Sequence, residues 1–318
     1  AFHSYEKRNS TGTNRSHTNP YPTVHATRNM TTPACCPSGS WPQLLRPKSE
    51  LNGDTAPTLA GSVITLDDSP TKASAYVVEP KAGVPFAGLL MVFPDIYSVR
   101  ALTPDCRSGD RIGAICDALA EKGYRVALLG LFGDKSFDLA ITAPEDGDFE
   151  KFDSFAQDGG VDWFKQQNYE KMSPEVKACG EYLQDKSPAD NKAVGVVGFC
   201  YGTWLLSKTS SMGGFDFSCA VGCHPATALE GLYGGDEVAM MNSVKMPTLF
   251  LWAGNDSDIY LKDGAGKAAL EKSGGSVVEF PDMLHGWVSR GDVGDEKVKR
   301  DFEKAIELMM DFLDQQMK

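Results

Sequence analysis

The pentapeptide Gly198-Phe199-Cys200-Tyr201-Gly202 stands directly between the apolar run Ala193-Val194-Gly195-Val196-Val197 and a segment that starts a helix near Thr203. A strand, a tight turn and a helix in that order give meaning to the pattern G-x-nucleophile-x-G. The turn is so sharp that the residues two before and two after its apex must lack bulk. The apex side chain then projects at the end of a sheet. A helix beginning beneath it lowers a thiol's pKa and favours thiolate, the reactive form. Cys200 is therefore the candidate nucleophile, against the blander reading of a core cysteine in a glycine-rich turn. Partner residues decide between the two.

From Gly61 onward the chain alternates between strand and helix signals. Val63 to Leu66 and Ala75 to Val78 read as short strands of an antiparallel hairpin. Gly88 to Phe93 is a continuous apolar run ending at Pro94-Asp95, as a strand buried on both faces requires. Ile112, Ile115, Cys116 and Leu119 recur at helical spacing before Gly123, and Val126 to Leu129 is a further strand. Residues 133 to 172 are rich in Asp, Phe and Gly without periodicity, which predicts an excursion over one end of the sheet, where it forms part of a pocket wall. Ser173-Pro174-Glu175 is expected to open a helix with Pro at its first position. Strands follow at Val194 to Val197, Cys219 to Gly222, Thr248 to Trp252 and Val277 to Phe280. Val298, Phe302, Ala305, Met309 and Phe312 then mark the docking face of a last helix. Such alternation predicts an α/β fold with an open, mostly parallel sheet and helices on both faces.

In folds built around such an elbow, the acid and the base follow the nucleophile in chain order, each on a loop after a late strand. The strand ending at Trp252 runs into Ala253-Gly254-Asn255-Asp256-Ser257-Asp258, and the strand ending at Phe280 runs into Pro281-Asp282-Met283-Leu284-His285-Gly286. His285 is thus the candidate base and Asp256 the candidate acid, with Asp258 as its competitor. His224 precedes the acid, fits the order badly, and is expected to line the pocket instead. An oxyanion hole needs two backbone N–H groups. One should come from Tyr201 and one from the loop Asp95-Ile96-Tyr97 after the Gly88 to Phe93 strand.

Bulk properties narrow the partners. A net charge of −12 over 318 residues repels a phosphate backbone, so nucleic acid is not an expected partner. The longest apolar stretch, Leu89 to Phe93, is far below the roughly 20 residues a membrane span needs. Eight cysteines without CxxC spacing suit neither a disulfide scaffold nor a zinc site, and read as buried thiols in a reducing compartment, the cytoplasm by default.

Residues 1–50 differ from the rest: they are rich in Ser, Thr, Asn and Pro, and Glu6 is the only acid before Glu50. They are expected to form a flexible N-terminal extension to a 51–318 catalytic domain. A basic, hydroxyl-rich composition also fits part of a plastid or mitochondrial targeting peptide. Three Asn-x-Ser/Thr sequons, at Asn9, Asn14 and Asn29, would matter in a secreted chain. The arm is also a candidate contact for protein assembly.

Taken together, Cys35-Cys36, Pro94-Asp95-Ile96-Tyr97, the Cys200 pentapeptide, His224-Pro225, Asp256 and His285-Gly286-Trp287 with Arg290 close behind resemble the dienelactone hydrolase (carboxymethylenebutenolidase) family, its eukaryotic members above all. The resemblance runs from about Cys35 to the C-terminus. It implies an α/β-hydrolase fold, a triad of Cys200, His285 and Asp256, and oxyanion donors at Ile96 and Tyr201. It also implies an acidic residue at Asp95 that holds the thiol at rest, where bacterial members carry Glu. Asp95, His224, Trp287 and Arg290 become the expected substrate-binding set. Bacterial members grip a substrate carboxylate with two arginines. Arg290 lies near one such position, but no arginine occurs between Arg125 and Arg290. The expected activity is cofactor-free and metal-free hydrolysis of esters or enol lactones through an acyl-enzyme. The alternative is a hydrolase-fold scaffold or binding subunit with little or no activity.

Overall fold

The computed structural model describes residues 36–37, 39–41, 59–96, 107–132, 164–188, 190 and 192–317. Tyr97, most of the N-terminal segment and the 133–163 part of the expected excursion lie outside the described residues. Eight strands form one sheet: β1 (Ser62–Thr65), β2 (Ser74–Val78), β3 (Gly88–Phe93), β4 (Tyr124–Leu129), β5 (Val194–Phe199), β6 (Phe217–Cys223), β7 (Thr248–Ala253) and β8 (Ser276–Phe280). Their spatial order is β1-β2-β4-β3-β5-β6-β7-β8. The β1–β2 and β2–β4 pairings are antiparallel, and every other pairing is parallel. The leading hairpin and the parallel sheet read from the sequence are both present.

The helices are α1 (Arg107–Glu121), α2 (Tyr169–Asp185), α3 (Tyr201–Met212), α4 (Leu229–Leu232), α5 (Glu237–Asn242), α6 (Ala265–Lys272), α7 (Trp287–Arg290) and α8 (Glu296–Gln316). They cover both faces because strand side chains alternate. Leu89, Met91 and Phe93 of β3 join one core with Met172, Val176 and Leu183 of α2 and Trp204 and Leu205 of α3. Leu90 and Val92 join the other, with Ile112, Ile115 and Leu119 of α1 and Ala305, Met309 and Leu313 of α8. Leu89 to Phe93 are all fully buried. Burial on that scale contributes roughly 1.5–3 kcal/mol per large apolar side chain. Among the described residues no helix is long and apolar enough to cross a membrane.

One helix starts elsewhere than expected. α2 begins at Tyr169, not at Ser173, and Pro174 lies inside it. Asn168 caps the helix by accepting a bond from the Lys171 N–H at 3.1 Å, and the buried Tyr169 and Met172 anchor its first turn. Pro174 removes one helical bond, but it and Glu170 are both exposed, so water can satisfy the carbonyl left over. A second difference is at the N-terminus. Cys36 and Trp41, both on the extension side of the boundary at residue 50, pack into the two cores with 2% and 5% exposure.

The strand order positions the site. The chain leaves β3 outward to β4 on one side, then returns to β5 on the other. The loops after β3 and β5 therefore meet at the point where the order reverses, the usual location of a ligand crevice in such sheets. In register, Phe93 pairs with Gly198, Phe199 with Cys223, and Ala253 with Phe280. Asp95, Cys200, His224, Asp256 and His285 each follow one of those strand ends within a few residues.

Candidate active site

Cys200 is the single residue between β5 and α3, with φ 51° and ψ −115°. Positive φ is strained for any residue with a Cβ, and persists only where surrounding bonds over-determine it. Here the Cys200 N–H donates to the Cys223 carbonyl at 3.1 Å. The Cys200 carbonyl accepts from the Thr203 N–H at 2.9 Å and from Thr203 Oγ1 at 2.6 Å, and Oγ1 in turn accepts from the Ala226 N–H at 2.8 Å. The flanking glycines are required by close approach. A Cβ on Gly202 would collide with the Phe93 carbonyl, and one on Gly198 would stand 2.7 Å from the Gly202 carbonyl carbon. Tyr201 opens α3, and its hydroxyl donates to the Gln167 carbonyl at 2.6 Å.

Asp256, rather than the exposed Asp258, faces the imidazole. His285 Nδ1 and Asp256 Oδ1 are 2.6 Å apart, with both side chains fully buried. Asp256 Oδ2 accepts from the Ala253 N–H at 2.8 Å. The two loops are tied together by His285 N–H donating to Asn255 Oδ1 at 2.6 Å and Gly254 N–H donating to the Met283 carbonyl at 2.8 Å. With Nδ1 taken by the carboxylate, Nε2 is the nitrogen left to face Cys200. A ring nitrogen of His285 and the sulfurs of Cys200 and Cys36 lie within 4.8 Å of one another. Burial works against a charged imidazole, but Cys200 and the Asp256 carboxylate outweigh it and hold His285 well above its ordinary pKa.

Burial drives His224 the other way. Desolvation, then the His285 and Arg290 charges, push its pKa well below the ordinary value. Its ring stands 5.0 Å from that of His285, and its backbone has φ 42°. Below about pH 6.5 an unfolded His takes up a proton that the folded His224 refuses, so stability falls with pH there. His224→Asn suits the positive φ and removes this titration. Between pH 6.5 and 5 the wild type should lose about 2 kcal/mol more than the variant. Urea unfolding at the two pH values measures it, and parallel curves would refute a neutral buried His224.

Asp95 and Arg290 form a second buried pair. Arg290 Nη1 donates to Asp95 Oδ2 at 2.7 Å, both side chains being fully buried, and Ser289 Oγ donates to the same oxygen at 2.8 Å. Arg290 Nε donates to the Trp41 carbonyl at 2.9 Å. Its guanidinium is thus directed into the protein. Trp287 is fully buried, with its ring 4.7 Å from Phe280, and Ile96 is 2% exposed in the loop after β3.

Sequence reasoning left Cys36 without a role. Its Sγ lies 4.0 Å from Cys200 Sγ and 4.0 Å from Arg290 Nη2. Cys35-Cys36 was visible as part of a resemblance, but no spacing argument carries residue 36 to residue 200. Among the described residues, Cys36, Cys200 and His285 are the only group of three His, Cys or acidic side chains spaced as metal ligands would be.

Comparison with known proteins agrees with the fold and names the family. No curated protein matches the sequence. A Klebsiella pneumoniae structure provisionally assigned as a dienelactone hydrolase superposes with TM-score 0.51 at 14% identity, covering 78% of this chain and 96% of that one. A Pyrococcus furiosus esterase gives TM-score 0.53 at 14% identity, over 88% and 100% of the two chains. The acylaminoacyl peptidase of Pyrococcus horikoshii gives 0.55 at 14% identity, over 80% of this chain but only 41% of that one. Identities this low speak to the α/β-hydrolase fold alone. The model of the dienelactone hydrolase family matches residues 73–317. The chain belongs to the dienelactone hydrolase family, hydrolases that act on ester bonds.

Proposed function

We propose that this hydrolase cleaves activated carboxylic esters or enol lactones with Cys200 as nucleophile, His285 as proton carrier and Asp256 as the group that orients it. The observation that carries the reading is the 2.6 Å Asp256–His285 bond beside a thiol held at a positive-φ elbow. The Cys200 thiolate attacks the carbonyl carbon, and the carbonyl electrons move onto oxygen, where the Ile96 and Tyr201 N–H groups receive them. As the tetrahedral adduct collapses, His285 Nε2 gives its proton to the departing alcohol or enol. The now neutral imidazole takes a proton from water, whose oxygen attacks the thioester and releases Cys200 as thiolate. Enols leave readily, which is why activated esters and enol lactones suit a thiol nucleophile.

The pair formed by Asp95 and Arg290 supports a positioning role for both: it ties the loop after β3, which carries Ile96, to α7. His224 is the member of the expected substrate-binding set whose ring adjoins His285. Brief exposure to p-nitrophenyl acetate, followed by intact-mass measurement and peptide mapping, should reveal a transient acetyl group on Cys200. Nitrophenol release with the acetyl group on another residue would overturn the nucleophile. Absence of both would favour the scaffold reading.

A further inference from the structure

We propose that Cys36 and Cys200 are a peroxide-responsive modification site: oxidation joins them in a disulfide that masks the nucleophile, and a dithiol reverses it. The loss of activity rests on the reading of Cys200 as nucleophile; the bond itself does not.

Cys36 is held where this chemistry needs it. The Trp41 N–H donates to the His285 carbonyl at 2.8 Å, and the Trp41 carbonyl accepts from Arg290 Nε at 2.9 Å. Trp41, five residues after Cys36, is therefore docked on the same loop that carries the base. The two sulfurs are 4.0 Å apart and both buried. A disulfide needs about 2 Å, so the sulfurs must approach by about 2 Å, a displacement on the scale of a side-chain adjustment. Each sulfur also has a cation beside it: Arg290 Nη2 at 4.0 Å from Cys36, and the proton-holding His285 beside Cys200. Nearby positive charge favours the thiolate, the species that reacts with peroxide and with sulfenic acid. The other described cysteines lack this setting. Burial pushes Cys179 up to about 12 and Cys219 up to about 11, and raises Cys116 and Cys223 as well. Among the described cysteines, oxidation should therefore be confined to the one pair.

The steps balance. The Cys200 thiolate attacks a peroxide oxygen; the S–O bond forms, the O–O bond breaks, and hydroxide leaves to be protonated as water. Cys36 then attacks the sulfur of the resulting sulfenic acid. The S–S bond forms, the S–O bond breaks, and the second oxygen departs as water with the Cys36 proton. Two thiols give up two electrons, and hydrogen peroxide accepts them. With Cys36 replaced, its resolving thiol is gone and the sulfenic acid continues to sulfinic acid, which a dithiol does not restore.

The test treats the full chain with a small excess of hydrogen peroxide, alkylates remaining thiols, and maps peptides without reduction. Ester turnover is read before and after dithiothreitol. Wild type should yield a Cys36–Cys200 linked peptide and lose turnover by ~10-fold or more, with recovery on reduction. Cys36→Ser should yield no link, and its loss should persist after dithiothreitol. Cys35→Ser should behave as wild type. A Cys35–Cys200 link, no link at all, or full recovery of Cys36→Ser would overturn the proposal. So would a loss reversed by a chelator and not by a dithiol, which would mark the same three ligands as a metal trap. A Cys36–Cys200 link with turnover unchanged would keep the disulfide and overturn the nucleophile reading instead.

Discussion

Cys200→Ala is expected to lower kcat/KM for an activated ester by roughly 10⁴-fold or more, since removing the nucleophile of a triad leaves only oxyanion stabilisation and binding. The fold should survive. The elbow is held by the Cys200 backbone N–H and carbonyl, bonded to Cys223, Thr203 and, through Thr203 Oγ1, to Ala226, and none of these bonds uses the thiol. Ala keeps the Cβ that the strained backbone already tolerates. Steady-state kinetics paired with a urea midpoint separates the two effects. Turnover within tenfold of wild type would remove Cys200 from the mechanism. Loss of turnover together with loss of the folded state would leave the elbow bonds weaker than their geometry implies.

The second large effect falls on Arg290→Gln. Arg290 and Asp95 are both fully buried and bonded at 2.7 Å. Removing the cation strands a carboxylate in the interior, where the Ser289 hydroxyl still donates to it at 2.8 Å. Breaking a buried pair from one side costs about 3–5 kcal/mol, mostly as the penalty of the uncompensated charge. The variant should therefore unfold at markedly lower urea. Adding Asp95→Asn should recover part of the loss, because the stranded charge is gone; that non-additivity is the signature of the pair. A substrate clamp behaves differently. Arg290→Gln of nearly wild-type stability, with KM raised for an anionic ester and unchanged for a neutral one, would return Arg290 to substrate binding.

Much of the site was legible in the chain because its logic is local. The glycines at 198 and 202 are demanded by the turn itself, and the carbonyl of Phe93 and the backbone of Gly202 leave no room for a Cβ. Chain order placed an acid and a base after the last two strands, and Asp256 and His285 stand there, bonded to each other. The choice between Asp256 and Asp258 needed coordinates: the two are a turn apart, and only one turns inward. The start of α2 was misjudged because Pro174 is a strong punctuation mark in sequence. The cap at Asn168 and the anchors Tyr169 and Met172 outweigh it.

By itself the sequence determined the alternation of strand and helix, the elbow, and the order of the three catalytic candidates. Each of these depends on neighbours within a few residues, or on the direction in which a parallel sheet must be wound. The tertiary structure alone decided what meets across the molecule. It set Cys36 against Cys200, 164 residues apart, and committed Arg290 to Asp95, 195 residues apart. It also seated Trp41 on the His285 loop. No periodicity records such contacts. They arise because the sheet reverses its order between β3 and β5, which gathers loops from distant parts of the chain at one end. Charges that meet there, away from water, are then compelled to pair.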